Sequence, residues 1–372
     1  MNDTLEQVIA EAMTLAPIPP GGTEAYRQCS PLLIRHLNDT LGADPDIDRL
    51  IGHNPLDVMH DNHKHHAAFM ATVFDTGSYE LLARTIPWVY RSYHARRFSH
   101  DYFPLALRTW VRAIEIHAPQ GLDHILAVYR WMIDKHETMI ALSLTEAGLN
   151  VPSFVGDDQM GVQQAFQAAL LRGDHGACLA VARDAVKHHA DIEAFYGRII
   201  QPSMVNIGSL WERAVISVAQ EHLASAIVSR VMATVGAMAL NAEKNGLRAL
   251  ITAAPNEFHE IGAWMIADLL TCEGWDVRYL GANTPQQDLV DMVTDFKPHG
   301  LGISITMPFN IDKVRAIIGQ VRNTPGIGDP TIVVGGGLFR TDMGLCRYLA
   351  ADGCGSSLGE VRHLFRAAVT HV

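Results

Sequence analysis

The chain reads as a multidomain protein with an all-α N-terminal domain, a four-helix-bundle cap and a C-terminal Rossmann-like α/β domain. Two patterns predict this. Apolar residues recur at helical spacing from about Pro31 to Leu149 and again over Gln159–Asn245. Beyond residue 247 the pattern changes to short β-rich runs alternating with helical stretches, the signature of a parallel sheet with right-handed crossovers. A length of 372 residues accommodates two or three such domains.

Within residues 1–150, Pro17–Gly22 separates a first short helix from the rest. Helical spacing follows in Phe69, Val73 and Phe74, in Trp88, Val89 and Tyr93, and in Leu105, Leu107, Trp110, Val111 and Ile114. Val151–Asp158, with Pro152, Gly156 and two aspartates, reads as a linker. Residues 159–246 are helical with breaks at Gly173-Asp174 and around Ala214–Ile216, so a four-helix bundle fits. In residues 247–372 the expected strands are Arg248–Ala254, Asp276–Gly281, Gly300–Thr306 and Thr331–Gly335. The helices between and after them are Ile261–Cys272, Pro285–Phe296, Ile311–Val321 and Met343–Ala351.

Composition narrows the function classes. Hydrophobic content of 48% with 19% charged residues describes a folded globular chain. No run reaches the roughly 18–20 apolar residues of a membrane span. The acidic start, Met1 to Glu6, lacks the features of a signal peptide. A net charge of -11 argues against direct nucleic-acid binding. The five cysteines are widely spaced, with no Cys-x-x-Cys, and read as reduced thiols of a cytoplasmic protein. The 19 histidines are concentrated in the first domain, where His60, His63, His65 and His66 read as a solvated helical face. His60 and His63 share a helix face, which leaves zinc or haem, and with it a haem or redox sensor, open there.

Three constellations carry chemistry. Glu257-Phe258-His259-Glu260-Ile261-Gly262 follows the first strand, where an open α/β sheet binds ligands; it offers an imidazole with a glycine three residues on. Trp211 ends one bundle helix, and Ser217 with Gln220 marks the capping box that starts the next, placing Glu221-His222 in its first turns. Tryptophan, carboxylate and imidazole are thereby expected at one end of the bundle. Finally, Ser304 and Thr306 end one strand with hydroxyls, and Gly335-Gly336-Gly337 ends the next without side chains. The G-x-G-x-x-G loop of a dinucleotide site is absent after the first strand, so NAD and FAD fit poorly. A flat, bulky ligand with a long tail fits better.

Glu257-x-His259-x-x-Gly262, Ser304-x-Thr306 and Gly335-Gly336 together resemble the signature of cobalamin-binding domains of the methionine synthase and mutase type. The resemblance implies that His259 is the axial cobalt ligand, base-off and His-on, and that the hydroxyl and glycine segments, with Gly337, line the groove for the nucleotide tail. Relatives carry aspartate where this chain has Glu257. That glutamate, with Trp211 and Glu221-His222, is similar to the CarH/LitR type of cobalamin-dependent photoreceptors. The similarity implies adenosylcobalamin, with Trp211, Val218, Glu221 and His222 covering its upper face. Two departures stand out: no winged helix is recognisable, and the residue after Trp211 is Glu212, where the best-known member has a second histidine ligand. In the first domain, the run from Phe69 through Gly77-Ser78-Tyr79, Trp88-Val89-Tyr90 and Phe98-Ser99-His100 resembles the N-terminal region of photocobilins, which hold biliverdin beside cobalamin. Trp88, Tyr90, Arg91, Tyr93 and His94 offer the aromatic and cationic groups a bilin needs. The same segment reads equally as amphipathic helices with a core of aromatics.

The expected function is therefore a light sensor without catalytic turnover, acting through a light-dependent homo-oligomer or a downstream protein partner. The alternative is a corrinoid protein shuttling methyl groups for a methyltransferase.

Overall fold

The computed structural model describes residues 4–145, 160–238 and 242–369, so the expected linker Val151–Asp158 lies outside the described residues. The chain divides into two compact units: Met1–Asn150 with Glu212–Val215, and Val151–Trp211 with Ile216–Val372.

The first unit is all helical: α1 (Leu5–Ala12), α2 (Gly22–Gly42), α3 (Ile47–Leu50), α4 (Leu56–Thr76), α5 (Tyr79–Ala95), α6 (Tyr102–His117), α7 (Asp123–Asp134) and α8 (His136–Ser143). Thr4 and Gln7 close a capping box at the start of α1, and Gly77 in the left-handed region (φ 65°) ends α4. Helix α2 begins at Gly22 and runs through Pro31, although a proline there removes one backbone donor. Tyr26, Phe74, Trp110 and Tyr129 fill the core, with Tyr26 and Tyr129 sharing a 2.8 Å hydrogen bond between hydroxyls.

The histidines of α4 correct the expected solvated face. His63 is 3% exposed, its Nδ1 bonded to Asn38 (2.7 Å) and its Nε2 to the Tyr102 hydroxyl (2.8 Å). His66 turns inward to the Tyr129 hydroxyl at 3.1 Å. Loss of solvation pulls these imidazoles down to about 3 and about 4 respectively, so both are neutral hydrogen-bonding groups, His63 buried and His66 half-buried. Among the described residues, no group of three or more His, Cys, Asp or Glu is arranged to hold a metal ion, and no helix is long and apolar enough to cross a membrane.

The second unit opens with a bundle of α9 (Met160–Leu171), α10 (His175–Ala185), α11 (Ile192–Phe195) continuing through a π-helical turn into α12 (Gln201–Glu212), and α13 (Val218–Gly236). The π turn, Tyr196–Ile200, ends two residues before Pro202, which has no N–H to continue the regular ladder. The Ser217–Gln220 capping box forms as expected and fixes the start of α13.

Strands β1 (Arg248–Ala253), β2 (Asp276–Tyr279), β3 (Gly300–Ser304), β4 (Thr331–Gly335) and β5 (Gly353–Gly355) follow, with α14 (Ile261–Cys272), α15 (Gln286–Phe296), α16 (Ile311–Asn323), α17 (Leu345–Leu349) and α18 (Leu358–Val369). They form one parallel sheet in the order β2-β1-β3-β4-β5. The first three strands end one or two residues before their expected limits. β5 and α18 were not anticipated: a Gly-Cys-Gly strand has no β-branched residue to betray it.

Bundle and sheet share a core through α14, whose Met265 and Leu269 pack with Phe166, Phe195, Tyr196 and Val231. The Tyr196 hydroxyl donates to Asp268 at 2.5 Å, and Arg362 pairs with Glu193 of the bundle. Cys346 and Cys354 form a disulfide with their Cα atoms 5.7 Å apart, correcting the expectation of five reduced thiols. The return of the chain from α17 into β5 is what brings this pair together.

Burial raises the Asp268 carboxyl to about 6, against the hydrogen bonds from Tyr196 and Trp264 that favour its charged form. A raised folded value means that its contribution is fully present below the unfolded value, near 4, and is lost as pH rises through about 6. Asp268→Asn should therefore gain stability relative to the parent between pH 4 and pH 7, on the order of 2 kcal/mol. Melting temperatures of both proteins across that range test this, and a constant difference would count against it.

Candidate cofactor site at the carboxyl edge of the sheet

Strand order reverses direction between β1 and β3, and the loops leaving those two strands make the crevice where doubly wound sheets bind ligands. Register sets the crevice edge: Ala253 pairs with Ser304, Ser304 with Gly335, and Gly335 with Gly355. After β1, Asn256 takes a left-handed conformation (φ 64°), which asparagine tolerates, and its N–H donates to Asn283 Oδ1 at 2.8 Å.

Glu257 sits at the centre, completely buried. Its Oε1 faces His259 Nδ1 at 2.5 Å and also accepts from the His259 N–H at 3.3 Å. Its Oε2 accepts from the backbone N–H groups of Thr306 (2.9 Å) and Met307 (2.8 Å), with Asn310 Nδ2 at 3.5 Å. Burial pushes this carboxyl up, but the hydrogen bond and charge of His259 and the two backbone donors outweigh it and hold the group below its usual range. Burial likewise pulls the His259 imidazole down; the Glu257 bond and charge, with Glu221 adding to them, bring it above its usual value.

The His259 side chain is 61% exposed. With Nδ1 committed to a buried carboxylate, Nε2 is the ring nitrogen left to ligate, the tautomer and orientation that carboxylate-oriented metal-binding histidines adopt. Gly262, in the first turn of α14, has open space where a side chain would project. The donor set therefore fits a metal complex approached from one side by a single imidazole.

The glycines of the third constellation answer first to the fold. A Cβ on Gly336 (φ 121°) would lie 2.2 Å from the Ile305 carbonyl oxygen, so only glycine fits where β4 leaves the sheet. Gly335 would touch Val361 at 3.0 Å and Gly337 would touch Thr306 at 3.5 Å. Ser304 and Thr306 are half-buried along this edge.

On the bundle, Glu221 and His222 pair as expected, His222 Nδ1 lying 2.6 Å from Glu221 Oε2 while Ser225 donates to Oε1 at 2.8 Å. Glu221 is near enough to His259 for its charge to act on the imidazole. His222 (side chain 74% exposed) and Val218 are solvent-facing in the first turn of α13, whereas half-buried Trp211 packs against the bundle core. Residue patterns missed Asn310, which is fully buried and ties the Asn256 carbonyl to the Glu257 carboxylate. A buried asparagine opening α16 leaves no periodic signal.

Glu212 belongs to the first unit, where Trp88 Nε1 donates to it at 2.9 Å and Arg91 Nη1 lies 3.4 Å away. Burial raises its carboxyl against both partners. Of the five residues expected at a bilin site, Arg91 and His94 line one cleft of about 400 Å3. Arg91 also donates to the Ser143 carbonyl at 2.8 Å. Tyr90 stacks on Phe103 at 3.8 Å and bonds His136, and Tyr93 packs on Phe98 and Phe103. The two tyrosines thus belong to an aromatic cluster.

Residues 247–369 match the B12 binding domain family, and residues 162–235 match a second family of the same description. The chain is 29% identical over 156 residues to the HTH-type transcriptional repressor CarH of Myxococcus xanthus, and 31% identical over 114 residues to CarA of the same organism. These matches cover 42% and 31% of this chain and 51% and 38% of the relatives, so the chain spans at most about half the length of either. Among solved structures, the Methanosarcina barkeri monomethylamine corrinoid protein is 14% identical, covering 57% of this chain and 100% of its own, with a TM-score of 0.49. A cobalamin-binding protein from Desulfitobacterium hafniense is 17% identical, covering 56% and 98%, with a TM-score of 0.32. The parallel sheet and the helical bundle thus each match a B12 binding domain family, and part of the chain is similar in sequence to the CarH and CarA repressors.

Proposed function

We propose that this protein binds adenosylcobalamin base-off, with His259 as the axial ligand, and acts as a light-sensing regulator without catalytic turnover. The observation that carries the reading is the buried Glu257 carboxylate holding Nδ1 of a His259 side chain that is 61% exposed, which leaves Nε2 as the nitrogen not held by Glu257. Bound adenosylcobalamin would supply a light-labile cobalt–carbon bond. The residues that would hold it are Ser304, Thr306 and Gly335–Gly337 for the tail, with Gly262 clearing space, and Trp211, Val218, Glu221 and His222 would enclose the adenosyl group. Position 212 is a glutamate, bound by Trp88 and Arg91, and offers no imidazole as a second ligand. Output is assigned to self-association or to a protein partner, in keeping with the net charge of -11.

Loaded with adenosylcobalamin in darkness, the protein should change its visible spectrum and its elution volume on green illumination; an unchanged spectrum and size would sink the light-sensing reading. His259→Ala should lose the spectral signature of an axial imidazole, and Trp211→Ala should retain cobalamin but discriminate less for the adenosyl form. Glu257→Gln should weaken cobalamin about 10–100-fold, the usual effect of removing the partner that orients a metal-ligating histidine. Equilibrium dialysis against free cobalamin measures this, and parental affinity in the variant would refute the positioning role of Glu257.

A further inference from the structure

The opposite edge of the sheet carries a second cleft, of about 400 Å3, at the amino ends of β1, β3 and β4. Arg248 opens β1, Lys297 and His299 lie on the connection from α15 to β3, and Gly326 and Gly328 lie on the loop before β4. Trp275, 2% exposed, lies in the apolar wall.

The side-chain donors here are Arg248, Lys297 and His299. Arg248 Nε is buried with no hydrogen-bond partner among the described residues. Its guanidinium lies 5.9 Å from the Phe296 ring, which Arg278 also covers at 4.0 Å. His299 Nδ1 accepts the Arg248 backbone N–H at 3.0 Å, so the neutral ring carries its proton on Nε2 and donates there. Lys297 holds a left-handed conformation (φ 47°) and is exposed. The Asp329 carboxylate at the rim is paired with Arg322 at 2.6 Å. Gly326 and Gly328 (φ 82° and 88°) have open space where side chains would be, leaving their backbone accessible. The end of α15 contributes about half a negative charge, which the full charges of Arg248 and Lys297 outweigh.

We propose that this cleft binds a small organic phosphate. A dianionic phosphoryl group matches the half-buried Arg248, the exposed Lys297 and an imidazole donor. The cleft is also larger than an inorganic anion needs and falls within the usual range for small organic ligands, about 300–1,000 Å3. Trp275 and its apolar neighbours take the organic portion. This site is independent of His259 and of the cobalamin reading.

Calorimetric titration of the full chain with phenyl phosphate, with benzoate as the carboxylate of matching ring, tests the assignment. Saturable one-to-one binding of phenyl phosphate is expected, with benzoate at least about tenfold weaker and inorganic phosphate competing. Arg248→Met and Lys297→Asn should each weaken phenyl phosphate roughly 10–100-fold, the loss of a charge-assisted hydrogen bond. Lys297→Asn changes an exposed residue to one that tolerates the left-handed region, so it reports even if Arg248→Met fails to fold. No saturable binding in the millimolar range, benzoate binding as tightly as phenyl phosphate, or parental affinity in Lys297→Asn would overturn the proposal.

Discussion

The site depends on one buried charge. Glu257 is completely shielded from water, and a carboxylate in that position costs several kcal/mol unless its lone pairs are met. Here they are met from two directions: by the imidazole of His259 two residues on, and by the backbone of Thr306 and Met307 across the strand switch. The same carboxylate therefore joins the loop after β1 to the loop after β3 and holds the exposed imidazole of His259 by one nitrogen. Asn310 braces the arrangement from the start of α16.

A second constraint seats the bundle on the sheet. Tyr196, carried on a π turn, reaches Asp268 on α14. Met265 and Leu269 of that helix complete the bundle's apolar core. The capping box at Ser217 then fixes where α13 begins, and thereby brings Glu221 close enough to act electrostatically on His259. Local capping chemistry and long-range packing converge on the same few residues.

Several sequence patterns carried more than one meaning until packing chose between them. The histidines of α4 have the spacing of a polar face, but His63 is buried between Asn38 and Tyr102, because a neutral imidazole satisfied on both nitrogens is tolerated in a core. Tyr90 and Tyr93 sit in an aromatic cluster, although aromatic residues beside arginines also suit a ligand cleft. Gly336 looks like an allowance for a ligand, yet the Ile305 carbonyl already requires it. In each case residue type constrained the chemistry, while the neighbour that used it came from a distant part of the chain.

The sequence by itself determined the alternation of strands and helices, the capping box of α13, and the residues Glu257, His259, Ser304, Thr306, Trp211 and Glu221 as a candidate set. These signals are local: hydrophobic period, cap chemistry and short motifs are written within a few residues of one another. Only the tertiary structure decided the strand order, the pairing of Cys346 with Cys354, the role of Asn310, and which nitrogen of His259 is left to ligate. Each of those depends on contacts between residues far apart in the chain or on the direction of one hydrogen bond, and neither is encoded in a local period.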